Sequence, residues 1–299
     1  MRSTPRLFVT GATGQLGRLV IDALLETVPA SAVVAGVRHP AKEAAAAIRE
    51  KGVETRAADY TRPETLASAL AGIDRLLLIS GNELGRRAEQ HRNVITAAKN
   101  AGVSLIAYTS ILHADTSQLL LAAEHRDTEA ALAESGVPFV LLRNGWYTEV
   151  YARRIPLAFK SGTFVGAAGD GRISAAARAD YARGAATVLA GDDHAGRTYE
   201  LAGDGSFSLG EFVAAVAEAS GKPIVYQNMA ANDLRTAALE AGVPEMFAAA
   251  MSDTDAGVAN GALFEDGRNL SRLIGRPTTP FRDTVKEHVQ LLSGASIRS

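Results

Sequence analysis

The chain has 299 residues, 47% of them hydrophobic and 21% charged, the balance of a globular protein able to bury a large core. Lysine and arginine number 31 against 33 acids, a net charge of −2, so neither the basic footprint of a nucleic-acid binder nor a polybasic membrane patch is present. There is no cysteine, which excludes disulfides, thiolate metal sites and a cysteine nucleophile, and no apolar run approaches the roughly 18 residues of a membrane span.

The segment Met1-Arg2-Ser3-Thr4-Pro5 runs directly into the apolar Leu7-Phe8-Val9, without the longer apolar stretch of a secretory signal, so the chain is expected to be cytoplasmic and unprocessed. Strands are expected at residues 7–10, 32–37, 54–57, 75–79, 105–109 and 139–142, short and apolar on both faces as buried parallel strands are. Helical periodicity separates them. Leu16, Val20, Ala23 and Leu24 mark one face of a helix opening at Gln15, and further helical segments fall at 66–71, 94–101 and 125–133. This alternation specifies an α/β fold with a doubly wound parallel Rossmann sheet.

After Arg143 the rhythm changes. Gly162, Gly166, Gly169 and Gly171 punctuate a loop or short hairpin. A helix is expected from Asp180, as its N-cap, to Leu189, and residues 198–202 read as one more strand. From Ser208 the chain is mainly helical with connecting loops, its last helix opened by Thr279 as N-cap and Pro280 at the first helical position. The expected division is a Rossmann domain of residues 1–145 plus 173–204 and a smaller, mainly helical C-terminal domain of 146–172 plus 205–299.

The run Val9-Thr10-Gly11-Ala12-Thr13-Gly14-Gln15-Leu16-Gly17 lies between the first strand and the first helix, the context a dinucleotide fingerprint requires. Gly11 permits the tight turn, Gly14 lets backbone amides approach a pyrophosphate, and Gly17 lets the helix pack closely on the strand. The helix N-terminus then faces the phosphate charge. The spacing is G-x-x-G-x-x-G, not G-x-G-x-x-G. Where an NAD enzyme carries an acid for the ribose 2′-hydroxyl stands Arg38, with His39 and Lys42 beside it. An arginine fork suits a 2′-phosphate, which makes NADPH the expected cofactor and the first part an NADP-binding domain; a solvated surface arginine is the alternative. Asp59, after the third strand, is open between an acceptor for the adenine amino group and a loop acid or helix cap. Ser80 and Gly81 end the fourth strand, where the cofactor should cross the sheet edge.

No tyrosine is followed four residues later by lysine, so the Tyr-x-x-x-Lys motif of short-chain dehydrogenases is absent. G-x-S-x-G and H-E-x-x-H are absent too, and the six histidines have no metal spacing, so no metal is expected. The glycine run, the string AYTSILHADTS at 107–117, Leu142-Arg143-Asn144-Gly145-Trp146-Tyr147 and Ile274-Gly275-Arg276-Pro277-Thr278-Thr279 together resemble the NmrA-like atypical short-chain dehydrogenases. The resemblance covers nearly the whole chain and is strongest to the type 2 NAD(P)H:quinone oxidoreductases, with triphenylmethane reductase a near relative. It implies NADPH without flavin. It also implies cofactor contacts at Gly11, Ala12, Thr13, Gly14, Gln15 and Leu16, at Arg38, around Leu78, Ile79 and Ser80, and along Leu142, Arg143, Asn144, Gly145, Trp146 and Tyr147.

The chemistry tolerates the missing dyad. A quinone that accepts a hydride becomes a delocalised phenolate, far less basic than an alkoxide, so proximity, orientation and some donor near the oxyanion suffice. Ligands of a doubly wound sheet bind beyond the carboxyl ends of its strands. That places Ser110 and His113 after the fifth strand, Asn144 to Tyr147 after the sixth, and His125 on the helix between, in the region of the usual tyrosine. Asn144 can donate or accept toward a carboxamide or a quinone oxygen, or serve as a turn residue. Trp146 and Tyr147 stack on a flat substrate or pack the hinge between the domains. His113 and His125 are open between site residues and surface or capping histidines. Asn144, Tyr147 and His125 are the catalytic candidates; Trp146, Ser110 and His113 are the substrate-binding ones, with the acceptor cleft between the NADP-binding and substrate domains.

The expected activity is NADPH-dependent two-electron reduction of a quinone or similar planar acceptor by direct hydride transfer. Two alternatives stand beside it: an NmrA-type redox sensor that binds the dinucleotide without turnover, and a reductase of another planar electrophile such as a triphenylmethane dye. Neither nucleic acid nor membrane is an expected partner, and homo-oligomerisation is open.

Overall fold

The structure, a computed structural model, describes residues 4–296; Met1, Arg2 and Ser3 of the segment read above as entering the first strand directly lie outside the described residues. The elements up to the sixth strand are β1 (Leu7–Val9), α1 (Gln15–Leu25), β2 (Val33–Val37), α2 (Glu43–Arg49), β3 (Glu54–Ala57), α3 (Pro63–Ala69), β4 (Arg75–Leu78), α4 (Arg87–Asn100), β5 (Leu105–Ile111), α5 (Leu120–Ser135) and β6 (Phe139–Asn144). Then follow α6 (Thr148–Ala152), α7 (Ile155–Ser161), β7 (Thr163–Gly166), α8 (Arg178–Ala190), β8 (Thr198–Leu201), α9 (Leu209–Ser220), β9 (Val225–Asn228), α10 (Ala231–Glu240), α11 (Glu245–Ala259), α12 (Asn269–Ile274) and α13 (Phe281–Ser296). The chain forms two compact units. One comprises the residues up to Asp115 together with Ala123–Asn144 and Ala179–Tyr199; the other comprises Thr116–Ala122, Gly145–Arg178 and the chain from Glu200 onward.

The first unit is built on a sheet of strand order β3-β2-β1-β4-β5-β6-β8. The pairs from β3 through β6 are parallel. β8 joins in the same sense: Leu141 N donates to Arg197 O at 3.0 Å and Gly145 N to Leu201 O at 2.7 Å, so both strands advance together. The last two residues of β8 belong to the second unit. The chain winds outward from β1 to β3, returns to β4 and winds the other way, which leaves a switch point between β1 and β4. Every residue of β1, β2 and β5 is buried, the consequence of helices on both faces and the reason these segments lack alternation. Phe8, Val34, Leu66, Leu76, Val94, Ile106, Tyr108 and Leu132 share one core.

The second unit is mainly helical. Ser208 caps α9 with a capping box to Glu211, satisfying two orphan donors reciprocally. Tyr151, Phe164, Phe207, Phe212 and Phe281 pack ring to ring, with Phe207 and Phe281 centroids 4.4 Å apart.

Three local expectations are corrected here. Of the loop or short hairpin expected after α7, the loop stands beyond Gly166 but the hairpin does not: β7 pairs in parallel with β9, a strand the sequence reading missed in the helical region. The register runs from Thr163 opposite Val225 to Gly166 opposite Asn228, and a parallel partner must come from far along the chain. Asp180 is not an N-cap; it lies inside the first turn of α8 and is fully buried. The last helix begins at Phe281, one residue after the proline expected to open it. No helix among the described residues is long and apolar enough to cross a membrane, and no group of three or more metal-binding side chains gathers among them.

Candidate active site

At the carboxyl end of β1 the chain turns sharply into α1. Gly11 has φ +57°, a conformation that favours glycine. Gly14 N donates to Gly11 O at 2.9 Å and closes the turn. A Cβ at position 17 would lie 2.4 Å from Gly11 O and 2.8 Å from Ala12 Cα, backbone atoms that cannot yield, so only glycine lets α1 approach this closely. Ala12 and Leu16 are buried, Thr13 is half-buried, and Gly11, Gly14 and Gln15 are exposed along the rim. Gly14 caps α1 with no side-chain bond, and the first turn holds no acid. The leading amides of a helix lack intrahelical acceptors and carry partial positive charge, so this end is suited to an anion.

Thr10 braces the turn from beneath. Its Oγ1 donates to Leu77 O at 3.0 Å and accepts from Ile79 N at 2.9 Å. The Tyr60 hydroxyl lies 2.6 Å from Thr10 Oγ1 and donates to Ile79 O at 2.8 Å. Burial pushes the Tyr60 hydroxyl up, so it keeps its proton.

Arg38 follows β2 directly, its side chain 56% exposed, with Nη2 3.3 Å from Glu83 Oε1. Lys42 is exposed at the start of α2. Asp59 is engaged as a loop acid: its Oδ1 accepts from Thr61 N at 3.0 Å and from Thr61 Oγ1 at 2.8 Å. Burial raises the Asp59 carboxyl, but the Thr61 bonds and the charges of Arg38 and Arg62 outweigh it and leave it below the usual value.

Beyond β4, the side chain of Leu78 is buried in the core, so only its main chain can face a ligand; Ile79 and Ser80 are half-buried. Ser80 N donates to Thr109 Oγ1 at 2.9 Å, and Gly81 N donates to His91 Nε2 at 3.0 Å. An amide only donates, so Nε2 is bare and the His91 proton sits on Nδ1, from which it is given to Thr128 Oγ1 at 2.9 Å. Thr128 in turn donates to Glu124 O at 2.9 Å. Burial, reinforced by Arg87, lowers the His91 pKa to about 3 and keeps the ring neutral. Arg87 Nε donates to Gly81 O at 2.9 Å, and Glu124 accepts from Arg87 Nη1 at 3.1 Å and from Gly85 N at 2.8 Å. The sequence reading missed all of these supports. Its only pointer was that His91 is one of six histidines.

At the carboxyl ends of β5 and β6 an ion-pair network absorbs two predicted site residues. Arg143 Nε and Nη2 hold Glu129 at 3.0 and 2.7 Å, and Nη1 reaches Asp115 Oδ2 at 3.0 Å. Ser110 Oγ donates to Glu129 Oε1 at 2.5 Å. Ser110 and Arg143 are thereby brought together through Glu129, which the sequence reading did not single out. His113 is half-buried and adopts φ 52°. His125 is buried, with Nδ1 2.7 Å from the Tyr108 hydroxyl. Burial first, then Arg87 and His91, lowers its pKa well below the usual value, so it too is neutral. Leu142 is fully buried in β6. Asn144 ends β6; its main-chain O accepts from Leu112 N at 2.9 Å, while its buried side-chain Oδ1 has no hydrogen-bond partner among the described residues. An enclosed amide oxygen without a donor costs free energy that a ligand N–H would recover.

In the second unit, Gly145 N donates to Leu201 O at 2.7 Å, and Trp146 O accepts from Ala176 N at 3.3 Å. Trp146 and Tyr147 are half-buried. The Arg178 guanidinium lies 4.6 Å from the centroid of the Tyr147 ring, a cation–π contact that holds this aromatic in place.

A family model described as NAD(P)H-binding matches residues 11–192, from the first glycine of the turn to just past α8. The chain belongs to the NAD(P)H-binding family. Among its relatives, quinone oxidoreductase 2 of Escherichia coli is 52% identical over 277 residues, covering 93% of this chain and 96% of that one. The crystal structure of an NADPH-dependent quinone oxidoreductase from Escherichia coli complexed with NADPH matches with a TM-score of 0.91 at 51% identity, over 94% of this chain and 99% of that one. The triphenylmethane reductase of Citrobacter sp. complexed with NADP(H) matches with a TM-score of 0.89 at 38% identity, over 94% and 99%. The resemblance and the Rossmann-like α/β fold read from the sequence agree with these matches. The geometry fits the family's cofactor. The closely packed glycine turn leaves room for a pyrophosphate, the uncapped end of α1 favours its charge, and Asn144 Oδ1 awaits a donor.

Proposed function

We propose that the protein reduces quinones by two electrons at the expense of NADPH, by direct transfer and without flavin. The observation that carries this is the near full-length relationship to quinone oxidoreductase 2 of Escherichia coli, joined to a glycine turn with no acid at the ribose position. When bound, NADPH supplies the hydride; the chain supplies position. Gly11 to Gly17 and the end of α1 hold the pyrophosphate, Arg38 with Lys42 reads the 2′-phosphate, and the main chain at Leu78 to Ser80 borders the cofactor. Asn144 Oδ1 accepts from the carboxamide, and Trp146 and Tyr147 orient a flat acceptor. Ser110, clamped by Glu129, and His113 complete the acceptor-side assignment. We place the protein in the cytoplasm, where the NADPH of the proposed reaction is supplied.

The likeness to triphenylmethane reductase favours one second reading, a planar cationic dye as acceptor. The test mixes pure protein with NADPH and either a simple benzoquinone or a triphenylmethane dye and follows the reduced-nicotinamide absorbance. Rapid loss with the quinone supports the proposal. Loss with the dye alone supports the second reading, and loss with neither refutes both.

A further inference from the structure

Tyr108 and His125 form a buried pair to which the proposed reaction assigns no defined action. Tyr108 lies in the middle of β5, fully buried, with its hydroxyl 2.7 Å from His125 Nδ1. α5 follows β5 and leads back to the start of β6, so its first turns lie toward the carboxyl side of the sheet, where ligands of this fold bind. His125 stands in the second of those turns. Burial raises the Tyr108 hydroxyl and lowers the His125 imidazole, so both stay neutral. Of the two directions open to such a neutral pair, the phenol donating to Nδ1 is the one that leaves the ring its own proton on Nε2. Nε2 has no hydrogen-bond partner among the described residues, and it is not fully enclosed. The charged and titratable groups around the pair are Arg87 and His91 of α4 and Glu124 and Glu129 of α5. Each is engaged: Arg87 with Glu124, Glu129 with Arg143, and His91 with Gly81 and Thr128.

We propose that His125 offers its Nε2–H as a neutral hydrogen-bond donor to the quinone oxygen that becomes negative, and that Tyr108 is a positioning residue fixing the ring and its tautomer. The inference rests on the quinone-reductase reading. The quinone accepts the hydride and its oxygen gains the electron pair. The bond from Nε2 stabilises that charge without giving up the proton, and the hydroquinone anion takes its proton from water.

The experiment compares the wild type with His125→Leu, His125→Gln, Tyr108→Phe and the double variant Tyr108→Phe/His125→Leu. Turnover of NADPH with benzoquinone is measured, together with NADPH binding. Nitrogen-15 NMR of the His125 ring in the full-length wild type reads the tautomer without turnover. The expected ring is protonated on Nε2. His125→Leu should lower kcat about tenfold with NADPH affinity unchanged, the loss expected of one hydrogen bond to a charged group. His125→Gln, whose amide N–H can fall near the Nε2 position, should recover most of it. Tyr108→Phe should lower kcat roughly threefold, as for a neutral hydrogen bond, and add nothing to His125→Leu because it acts through that ring. A ring protonated on Nδ1, a glutamine variant no better than leucine, or additive losses in the double variant would overturn the proposal. Wild-type turnover retained in full by His125→Leu would overturn it and leave the quinone reading standing; no turnover in the wild type would overturn both.

Discussion

Replacing Arg38 by alanine should change cofactor choice with little effect on stability. The Arg38 side chain is 56% exposed and makes one 3.3 Å contact, to Glu83, so the pair contributes at most about 1 kcal/mol to folding. A charge-assisted contact to a 2′-phosphate is stronger, about 1.5–3 kcal/mol, which corresponds to roughly a 10- to 150-fold rise in the NADPH Kd. NADH lacks that phosphate, and its affinity should change by less than about twofold on this reasoning. Nor should the variant gain affinity for NADH. Glu83, which Arg38 touches, also holds Gln90 Nε2 at 2.8 Å, and Asp59 already spends Oδ1 on Thr61. Titration of both cofactors by nicotinamide fluorescence at one fixed ionic strength, paired with thermal unfolding, separates the two effects, and the NADPH loss should be larger at low salt. Equal losses for NADPH and NADH, or a fall in Tm much beyond about 4 °C, would show that Arg38 holds the fold and does not read the phosphate.

Gly17→Ala places a methyl 2.4 Å from Gly11 O, so α1 must move; we expect about 1–3 kcal/mol of destabilisation and weakened NADPH binding, and an unchanged Tm would contradict the close-approach argument. His91 has a folded pKa of about 3 against the ordinary 6.5, so its contribution is present above about pH 6.5 and is lost as pH falls toward 3. His91→Gln, which keeps an acceptor for Gly81, should flatten the acid limb of the stability curve by about 1.4 kcal/mol per pH unit in that window, measured by denaturant unfolding across pH. Asn144→Ala and Trp146→Ala should act chiefly on acceptor placement, and Tyr147→Phe should lower turnover by less than the ~10²–10⁴-fold of an essential general acid. Steady-state rates with benzoquinone check these, and a loss for Tyr147→Phe that reaches that range would identify it as the proton donor.

The glycine turn and strand end to which the cofactor is assigned were legible in the amino-acid sequence because their determinants are local. The glycine run lies within one strand-turn-helix unit, and a turn of that kind is specified by which residues have no Cβ. Arg38 follows β2 by one residue, so finding the strand located the arginine. The parallel sheet was equally legible, since strands buried on both faces must be apolar along their length. What the sequence did not disclose lies across large separations. His91 meets Thr128 over 37 residues and Gly85 meets Glu124 over 39, contacts that exist only once α4 and α5 pack on the same sheet. The pairing of β7 with β9 and the burial of Asp180 are of the same kind.

Sequence alone therefore determined the fold class, the glycine turn and the arginine that follows β2, proposed above to read the ribose phosphate. Only the tertiary structure decided that Arg143 and Ser110 are tied to Glu129, that Asn144 Oδ1 lacks a donor, and that His91 and His125 are neutral. The physical reason is that backbone conformation and apolar patterning are set by neighbours in the chain. Hydrogen-bond partnership and protonation are set by burial and by side chains that arrive from elsewhere.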